Sequence, residues 1–510
     1  NQHWRIKMVH VIKGTVAAQR KQSSDIEQCL DGCKEKFNQI LSGVLNEGNQ
    51  DAHKMEASIY KQLMKLGFML MQLFFASHNK GNYGKTIETA RGIAKRGRTS
   101  VKSYFSIFGK MKVTRYLYHI GDVSFEPLDI VLNLPVRCYS YFLSEFANLL
   151  NINGAYENAS GLLEKFFGVK LSISALETIS SESSERYEDY YDLKNSLPKL
   201  ESEEDYVVVS FDGKGVPMIK KEAAKIVARQ GKGEKKQKKK EALVGVKYDV
   251  NANVRAAKEV ADNLVYPDKK EDKNETVKPA KAQNIRYIAS VEKTKKKVMQ
   301  EIYEEVKDEN FNSKPLVCVM DGALYLWTLF KDVFKGIENK VLILDIIHVL
   351  EYIWIIAHIK HKEGSANGKK YVYKKLLLIL QGKVASYIME LQREMLSKKW
   401  KKTQSDKFLK VITYLKNHKE YMRYDQYLSE GYPIGSGVVE SACSHVVKDR
   451  MEISGARWGI NGSDSILKLR SVAKSKDWDE YWEFFTAQAQ NNIFFPDKYN
   501  FMNVQEKMAA

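Results

Sequence analysis

The chain has 510 residues, 44% of them hydrophobic and including 28 Tyr, 21 Phe and 7 Trp, which is enough for two to four domains with real cores and excludes a disordered tail. Its net charge of +18 and pI near 9.2 point to a polyanionic partner, nucleic acid first, and say nothing about fold.

Residues 1 to 105 carry helical periodicity, clearest from Ile59 to Phe75, where apolar positions recur at three and four residues. This predicts a helical N-terminal region serving assembly or DNA binding. The chain opens at Asn1 rather than Met, so nothing rests on its first residues, and no secretory signal is read. Cys29 and Cys33, one helical turn apart, would leave a tetrahedral ion two ligands short and read as small helix residues. With Cys138, Cys318 and Cys443 they are too few and too scattered for a disulfide framework, so a reducing, cytoplasmic setting is expected.

Residues 106–200 read as a helical DNA-binding region. Ala155 to Phe167, the turn Gly168 to Leu171 and Ser172 to Ile179 have the spacing of a helix-turn-helix, although the second helix is not basic and an ordinary helical hairpin fits equally.

From residue 201 the pattern changes to α/β. The apolar run Tyr206 to Phe211 ends in Asp212-Gly213, and Leu316 to Met320 ends in Asp321-Gly322, so two predicted strands each close on Asp-Gly. A carboxylate at the end of a buried strand is held at a sheet edge, and the Gly after it leaves room for a phosphate backbone. Residues 214–240 hold eleven Lys or Arg, ending in Lys235, Lys236, Lys238, Lys239 and Lys240. Such a run is a solvated loop that is also placed to hold DNA phosphates. A strand from Ala242 to Val250, a charged linker from Pro267 to Lys281, an amphipathic helix reaching about Glu309 and a strand from Val341 to Leu344 follow.

The longest membrane candidate, Val341 to Ile359, is broken by Asp345, His348, Glu351 and His358 and falls short of the roughly 20 residues a span needs, so no membrane partner is expected. Residues 351–430 read as a helical insertion, 431–490 as the completion of the interrupted domain, and 491–510 as a tail. Gly435 to Arg450 predicts a helix starting near Ser436 with Glu440 in its first turns. The order of elements is that of a ribonuclease-H-like α/β domain.

Asp212, Asp321 and Glu440 form an ordered carboxylate set. Phosphodiester chemistry with two divalent cations roughly 4 Å apart asks for such groups, one ion activating the attacking hydroxyl and the other stabilising the leaving oxygen. Hard ions such as Mg²⁺, with Mn²⁺ as a substitute, take oxygen ligands and keep several waters, so two or three carboxylates suffice. On helical geometry Lys448 shares a face with Glu440 and is a candidate DNA contact, while His445 and Arg450 point elsewhere. Trp458 reads as a packing residue before a base-stacking one.

At these residues the chain resembles the DDE transposases of bacterial insertion sequences, of the ISKra type. The matching stretches are Asp212 to Met218, Met320 to Ala323, Leu344 to His348 with Trp354, and Gly435 to Glu440 running through Ser454 to Trp458 and on to Leu469-Arg470, with Pro127 to Asp129 upstream. The resemblance covers roughly residues 100 to 485. It implies an RNase-H-like catalytic domain with Asp212, Asp321 and Glu440 as its catalytic triad and metal ligands, and cut-and-paste or copy-out movement of DNA. Asp345 and His348 resemble the D-x-x-H signature shared with Mutator-like transposases. There an imidazole could position a phosphate or shuttle a proton, while the plain alternative is a polar pair capping the next helix. Relatives often carry paired cysteines ahead of the Pro-Leu-Asp, suggestive of a zinc ribbon; Arg115 to Phe125 has none, so a structural zinc is not expected.

The partners then implied are the terminal repeats of an insertion sequence and target DNA, bound by a homodimer or larger assembly associated with a bacterial nucleoid. Two other classes remain open: a catalytically inactive or repurposed relative that only binds DNA, and a stand-alone RNase-H-like nuclease or junction resolvase using the same ions.

Overall fold

The computed structural model describes residues 24–46, 51–89, 92–198, 203–226, 238–267, 280–309, 311, 314–397 and 399–494. The chain divides into two units, residues 1–197 with 478–510, and residues 198–477.

In the first unit the helices Ser24–Asn46 and Ala52–Ala76 pack on each other. The second buries none of its residues, and Phe37, Leu45, Leu63 and Leu70 stay exposed. Where the sequence suggests only helix, residues 86–125 form a four-stranded antiparallel sheet in the order β1 (Thr86–Thr89), β2 (Gly92–Ser106), β3 (Gly109–Ile120), β4 (Val123–Phe125). The helical expectation is corrected for this stretch, while the described residues of 1–200 remain mainly helical, and the reason is local. β2 and β3 are rich in β-branched and aromatic side chains, among them Thr99, Val101, Tyr104, Val113 and Tyr116, that fit a pleated surface. Gly109, at φ +124°, closes the tight connection between them in a conformation that other residues resist.

Buried charge ties this sheet to the short helix Pro127–Val131. Arg115 pairs with Asp129 and, at 3.1 Å, with Glu126, and Lys102 lies 3.6 Å from Asp129. Burial outweighs both cations and lifts the Asp129 carboxyl above its ordinary range.

Helices Tyr141–Asn153, Tyr156–Phe167 and Ile173–Ser183 share a core of Leu143, Ala147, Leu163, Leu176 and Ile179. Gly168, at φ +67°, ends the middle helix, and Ser172 caps the third by accepting from the Ala175 N–H at 3.1 Å. The residues of 155–180 thus form two helices joined by a glycine turn, locked to the first helix by Asn148 bonding Ser183 and Ser180, each at 2.9 Å. The exposed side of the third helix presents Ser174, Glu177 and Ser181 and no basic residue. The C-terminal helix Trp478–Phe494 belongs to this unit and not, as the 431–490 expectation had it, to the second. Its Tyr481 hydroxyl donates to the Ser183 carbonyl, and the Tyr190 hydroxyl donates to Glu480 at 2.9 Å.

The second unit is a mixed α/β structure built on a five-stranded sheet of β5 (Tyr206–Pro217), β6 (Lys239–Val250), β7 (Gln283–Ser290), β8 (Leu316–Met320) and β9 (Lys340–Leu344). The order is β7-β6-β5-β8-β9, antiparallel through β7, β6 and β5 and parallel through β5, β8 and β9. All five residues of β8 are wholly buried, as a continuous apolar run requires when a parallel strand is covered on both faces. Helix Lys295–Val306 packs on β6 and β7, and helix Ile460–Lys474 packs on β7.

Between β9 and the Glu440 helix lie helices Ile346–Lys360, Ala366–Leu380, Val384–Ser397, Lys402–Asn417 and Tyr424–Ser429. The last of them closes the edge of the sheet: the Tyr424 and Tyr427 hydroxyls donate to the Leu344 and Leu342 carbonyls of β9 at 2.7 and 3.0 Å. Among the described residues no helix is long and apolar enough to cross a membrane.

Candidate functional site

Asp212 does not end its strand. β5 continues through it to Pro217, in antiparallel register with β6 from Tyr206↔Val250 through Asp212↔Val244 to Pro217↔Lys239. The parallel ladder with β8 covers only Val207 to Val209, so Asp212 lies just beyond it, as Asp321 lies just beyond the end of β8. Antiparallel pairing with β6 supplies the hydrogen bonds that carry the strand on when β8 leaves off. Asp212 Oδ1 accepts from the Gly213 N–H at 2.6 Å, and Oδ2 accepts from the Cys443 thiol at 3.3 Å. Burial and the neighbouring Asp212 charge push that thiol well above its usual range.

Asp321 emerges directly from β8, as its sequence predicts. Its Oδ1 accepts from the Ala323 N–H at 3.0 Å, and its carbonyl accepts from the Trp327 indole at 2.8 Å. Burial raises the Asp321 carboxyl, and the charges of Asp212 and Asp345 raise it further, against the Ala323 N–H and His348. The two Asp-Gly glycines serve close packing by protein groups. A Cβ at Gly213 would run into the Glu241 carboxylate, and one at Gly322 into the ring of Tyr414.

Asp345 is wholly buried and joins two pieces of chain. It caps helix Ile346–Lys360 by accepting from the Ile347 N–H at 3.0 Å, and it accepts from His348 Nδ1 at 2.8 Å. It also holds Ser436, accepting from the Ser436 N–H at 3.2 Å and from the Ser436 hydroxyl at 2.7 Å. Asp345 is thus the cap of the next helix while His348 bonds it from within that helix, and the contacts of Asp345 extend across the fold to the residue that starts the Glu440 helix. Burial pushes the Asp345 carboxyl up, but the hydrogen bonds from His348, Ser436 and Ile347 outweigh it and leave it below its ordinary range. The bond to Asp345 raises His348 to about 9, with burial opposing and the charges of Asp345, Asp321 and Glu351 adding.

The sign of this pair's contribution follows. A raised imidazole stabilises the fold fully below its unfolded value near 6.5, and that contribution fades as pH rises through about 9. A depressed carboxyl contributes above its unfolded value near 3.9 and loses that contribution at lower pH. His348→Gln should therefore cost stability at about pH 6 and converge on the wild type by about pH 10, which denaturant midpoints across that range will check.

The helix Gly437–Ala442 carries Glu440 in its first turn, starts after Ser436 as predicted, and packs on β5 and β6. Cys443–Lys448 then adopts a π-helical turn. The extra residue leaves carbonyls without their usual partners, and Arg470 takes them up, donating to the Val446 carbonyl at 2.6 Å and to that of His445. The wider turn sets Lys448, which is exposed, where Val447 would stand on an uninterrupted α-helix; Val447 is buried. Trp458 packs rather than projects: its indole donates to the Met451 carbonyl at 2.9 Å, and the Arg450 guanidinium lies 4.7 Å from its ring centre.

Of the basic run, Lys235 and Lys236 lie outside the described residues. Lys238 is exposed, whereas Lys239 and Lys240 are strand residues at the start of β6 and not loop residues, because β5 runs on to Pro217 and recruits them as partners. Lys239 is paired with Glu452 at 2.5 Å, and Lys214 and Lys448 lie close enough for their charges to lower the Glu452 carboxyl after that bond. The result is a basic cluster of Lys214, Lys239 and Lys448 beside the Glu440 helix.

The fold thus brings Asp212 and Asp321 to neighbouring strand segments, bonds Asp345 to His348, and sets the Glu440 helix against the Asp212 strand. Glu440 itself is exposed, and its carboxylate has no hydrogen-bond or ion-pair partner among the described residues. Among those residues no three His, Cys, Asp or Glu side chains are gathered as a ready-made ion site. The aspartate pair suits a hard dication: two carboxylates, one raised by burial and by the other's charge. Sequence reasoning missed Cys443, Trp327 and Tyr414 as neighbours of the aspartates, and missed the bond of Ser436 to Asp345. Ser436 had a signal as a helix start, but its hydroxyl turns back to Asp345 and does not cap its own helix; the other three carry no local mark. No protein-family model matches the chain, and comparison with curated proteins gives no match either.

Proposed function

We propose that this protein is a DDE-type DNA transposase with an RNase-H-like catalytic domain, acting on the ends of its own insertion sequence. The observation that carries the reading is the approach of Asp212 and Asp321 past the ends of two neighbouring parallel segments, where burial first and the Asp212 charge after it raise the Asp321 carboxyl, with the Glu440 helix packed on the same strand. The sheet order, three antiparallel strands followed by two parallel ones, supports it, as do the motif resemblance and the net charge of +18.

Asp212 and Asp321, joined by Glu440, would hold two Mg²⁺ or Mn²⁺ ions, which supply activation of water for nicking and of the freed 3′-hydroxyl for strand transfer. Asp345 and His348 support the site: Asp345 fixes both helix starts, and His348 brings a donor and positive charge toward Asp321. Lys448, Lys238, Lys239 and Lys240, with Lys235 and Lys236 upstream, would lie along the DNA backbone. Closure of Glu440 on the aspartates would accompany DNA binding and assembly of a dimer or larger complex on paired ends. The exposed apolar side chains of helices Ser24–Asn46 and Ala52–Ala76 support such assembly. A bacterial, nucleoid-associated setting follows from this reading.

The test is strand transfer. Purified protein, Mg²⁺, a linear fragment carrying the DNA that flanks its own gene and a supercoiled plasmid should give fragment joined covalently to plasmid. Hydrolysis without joining would favour a nuclease or resolvase, and binding without either reaction an inactive relative.

A further inference from the structure

The sheet of the first unit narrows to a bare pair of strands. β1 meets β2 only over residues 92–95, and β4 meets β3 only over residues 118–120, so among the described residues no further strand flanks the ribbon made by residues 99–104 and 111–116. Side chains alternate between its two faces. One face is turned inward: Tyr104 and Val113 pack with Phe75 and Leu128, and Lys102 and Arg115 are taken up by Asp129 and Glu126. The other face, where Thr99, Val101 and Ser103 stand opposite Tyr116, Thr114 and Lys112, is open, with Val101 60% exposed. Lys110 and Lys112 are exposed on this face, and Arg98 is exposed at the register shift between Arg96 and Thr99.

Charge singles this face out. β2 and β3 carry seven Lys or Arg and no Asp or Glu, and Arg98, Lys110 and Lys112 have no carboxylate partner among the described residues. The helix Ile173–Ser183, where a helix-turn-helix would read DNA, has no Lys or Arg at all. A two-stranded ribbon fits the B-form major groove, about 12 Å wide, whereas the A-form groove of duplex RNA is too deep and narrow for it. Thr and Ser hydroxyls bond base edges there, and a Val methyl can meet the methyl of thymine.

Resting on the reading that this chain acts on DNA, we propose that the ribbon is a second DNA-binding surface, entering the major groove of a duplex with Thr99, Val101, Ser103 and Thr114 toward the base edges and Lys110 and Lys112 on the phosphates. The DNA contact expected of the helix-turn-helix then falls to the ribbon.

Full-length wild type, Val101→Glu, the double variant Lys110→Gln with Lys112→Gln, and Lys448→Gln are titrated with a DNA duplex from the sequence flanking the gene and with an RNA duplex of the same sequence, at several salt concentrations, and each protein is melted. All four altered side chains are exposed, so melting should match the wild type. The expected result is tighter binding of DNA than of RNA by the wild type. DNA affinity should fall on the order of tenfold or more in both ribbon variants, and in the double variant the slope of log affinity against log salt should be shallower by about 2. Wild-type affinity and slope in both ribbon variants, with Lys448→Gln weakened, overturn the role of the ribbon and leave the reading of the second unit standing. Equal affinity of the wild type for the two duplexes overturns docking in the major groove. Failure of the wild type to bind DNA overturns the reading and this proposal with it.

Discussion

Asp321→Asn is expected to bind DNA as the wild type does and to nick it on the order of 10³-fold more slowly, because it loses several kcal/mol of charge stabilisation at about 1.4 kcal/mol per tenfold. The substitution is nearly isosteric, and the side-chain oxygen of Asn can still accept from the Ala323 N–H that now bonds Oδ1. The Trp327 indole bonds the backbone carbonyl and is untouched. What disappears is a charge that the fold holds at some cost, through burial first and the neighbouring Asp212 charge after it, as the raised Asp321 carboxyl shows. Removing that repulsion should leave the variant as stable as the wild type or more so, which separates a chemical defect from a folding one. Gel-shift binding, plasmid nicking and a melting curve on the same preparation check all three parts. Nicking at the wild-type rate would remove Asp321 from the chemistry.

The second large effect concerns Asp345. Asp345→Ala strips a wholly buried carboxylate that accepts from the Ile347 N–H, His348, the Ser436 N–H and the Ser436 hydroxyl. It loses a helix cap and leaves buried donors unpaired, so a destabilisation of about 3–5 kcal/mol is expected. Ser436→Ala loses one hydroxyl contact and keeps the N–H bond, so its cost should be about 1 kcal/mol. Urea unfolding of both variants measures the difference. Because Ser436 starts the helix that carries Glu440, Ser436→Ala should still slow nicking by more than its small stability loss implies, with DNA binding retained. Equal, near-zero destabilisation by both changes would mean that Asp345 does not tie the two helix starts together.

Much of this was legible in the sequence because it depends on a few neighbouring residues. The apolar run Leu316 to Met320 had to be a buried strand with Asp321 released at its end, since burial patterning acts within a strand, and the helix start near Ser436 was legible too, although its hydroxyl bonds Asp345 and caps nothing of its own. The sheet of 86–125 was written there as well, in the β-branched and aromatic residues of β2 and β3 and in the turn at Gly109, but the helical periodicity upstream masked it.

Tertiary structure alone decided the rest. Asp212 sits inside a strand and not at its end because β6 pairs with β5 as far as Pro217, and the same pairing turns Lys239 and Lys240 from loop into strand. Asp345 reaches Ser436 across 91 residues of chain, and Tyr414 covers Gly322 from within the insertion. The sequence by itself determined which residues carry charge, that the buried strand Leu316 to Met320 releases Asp321, and that two Asp-Gly pairs follow apolar runs. Which of those carboxylates meet, what fills the space beside each glycine and which unit the last helix joins were settled only by packing, because hydrogen-bond partners and close-packed neighbours are chosen in space, between segments that carry no mark of one another in the chain.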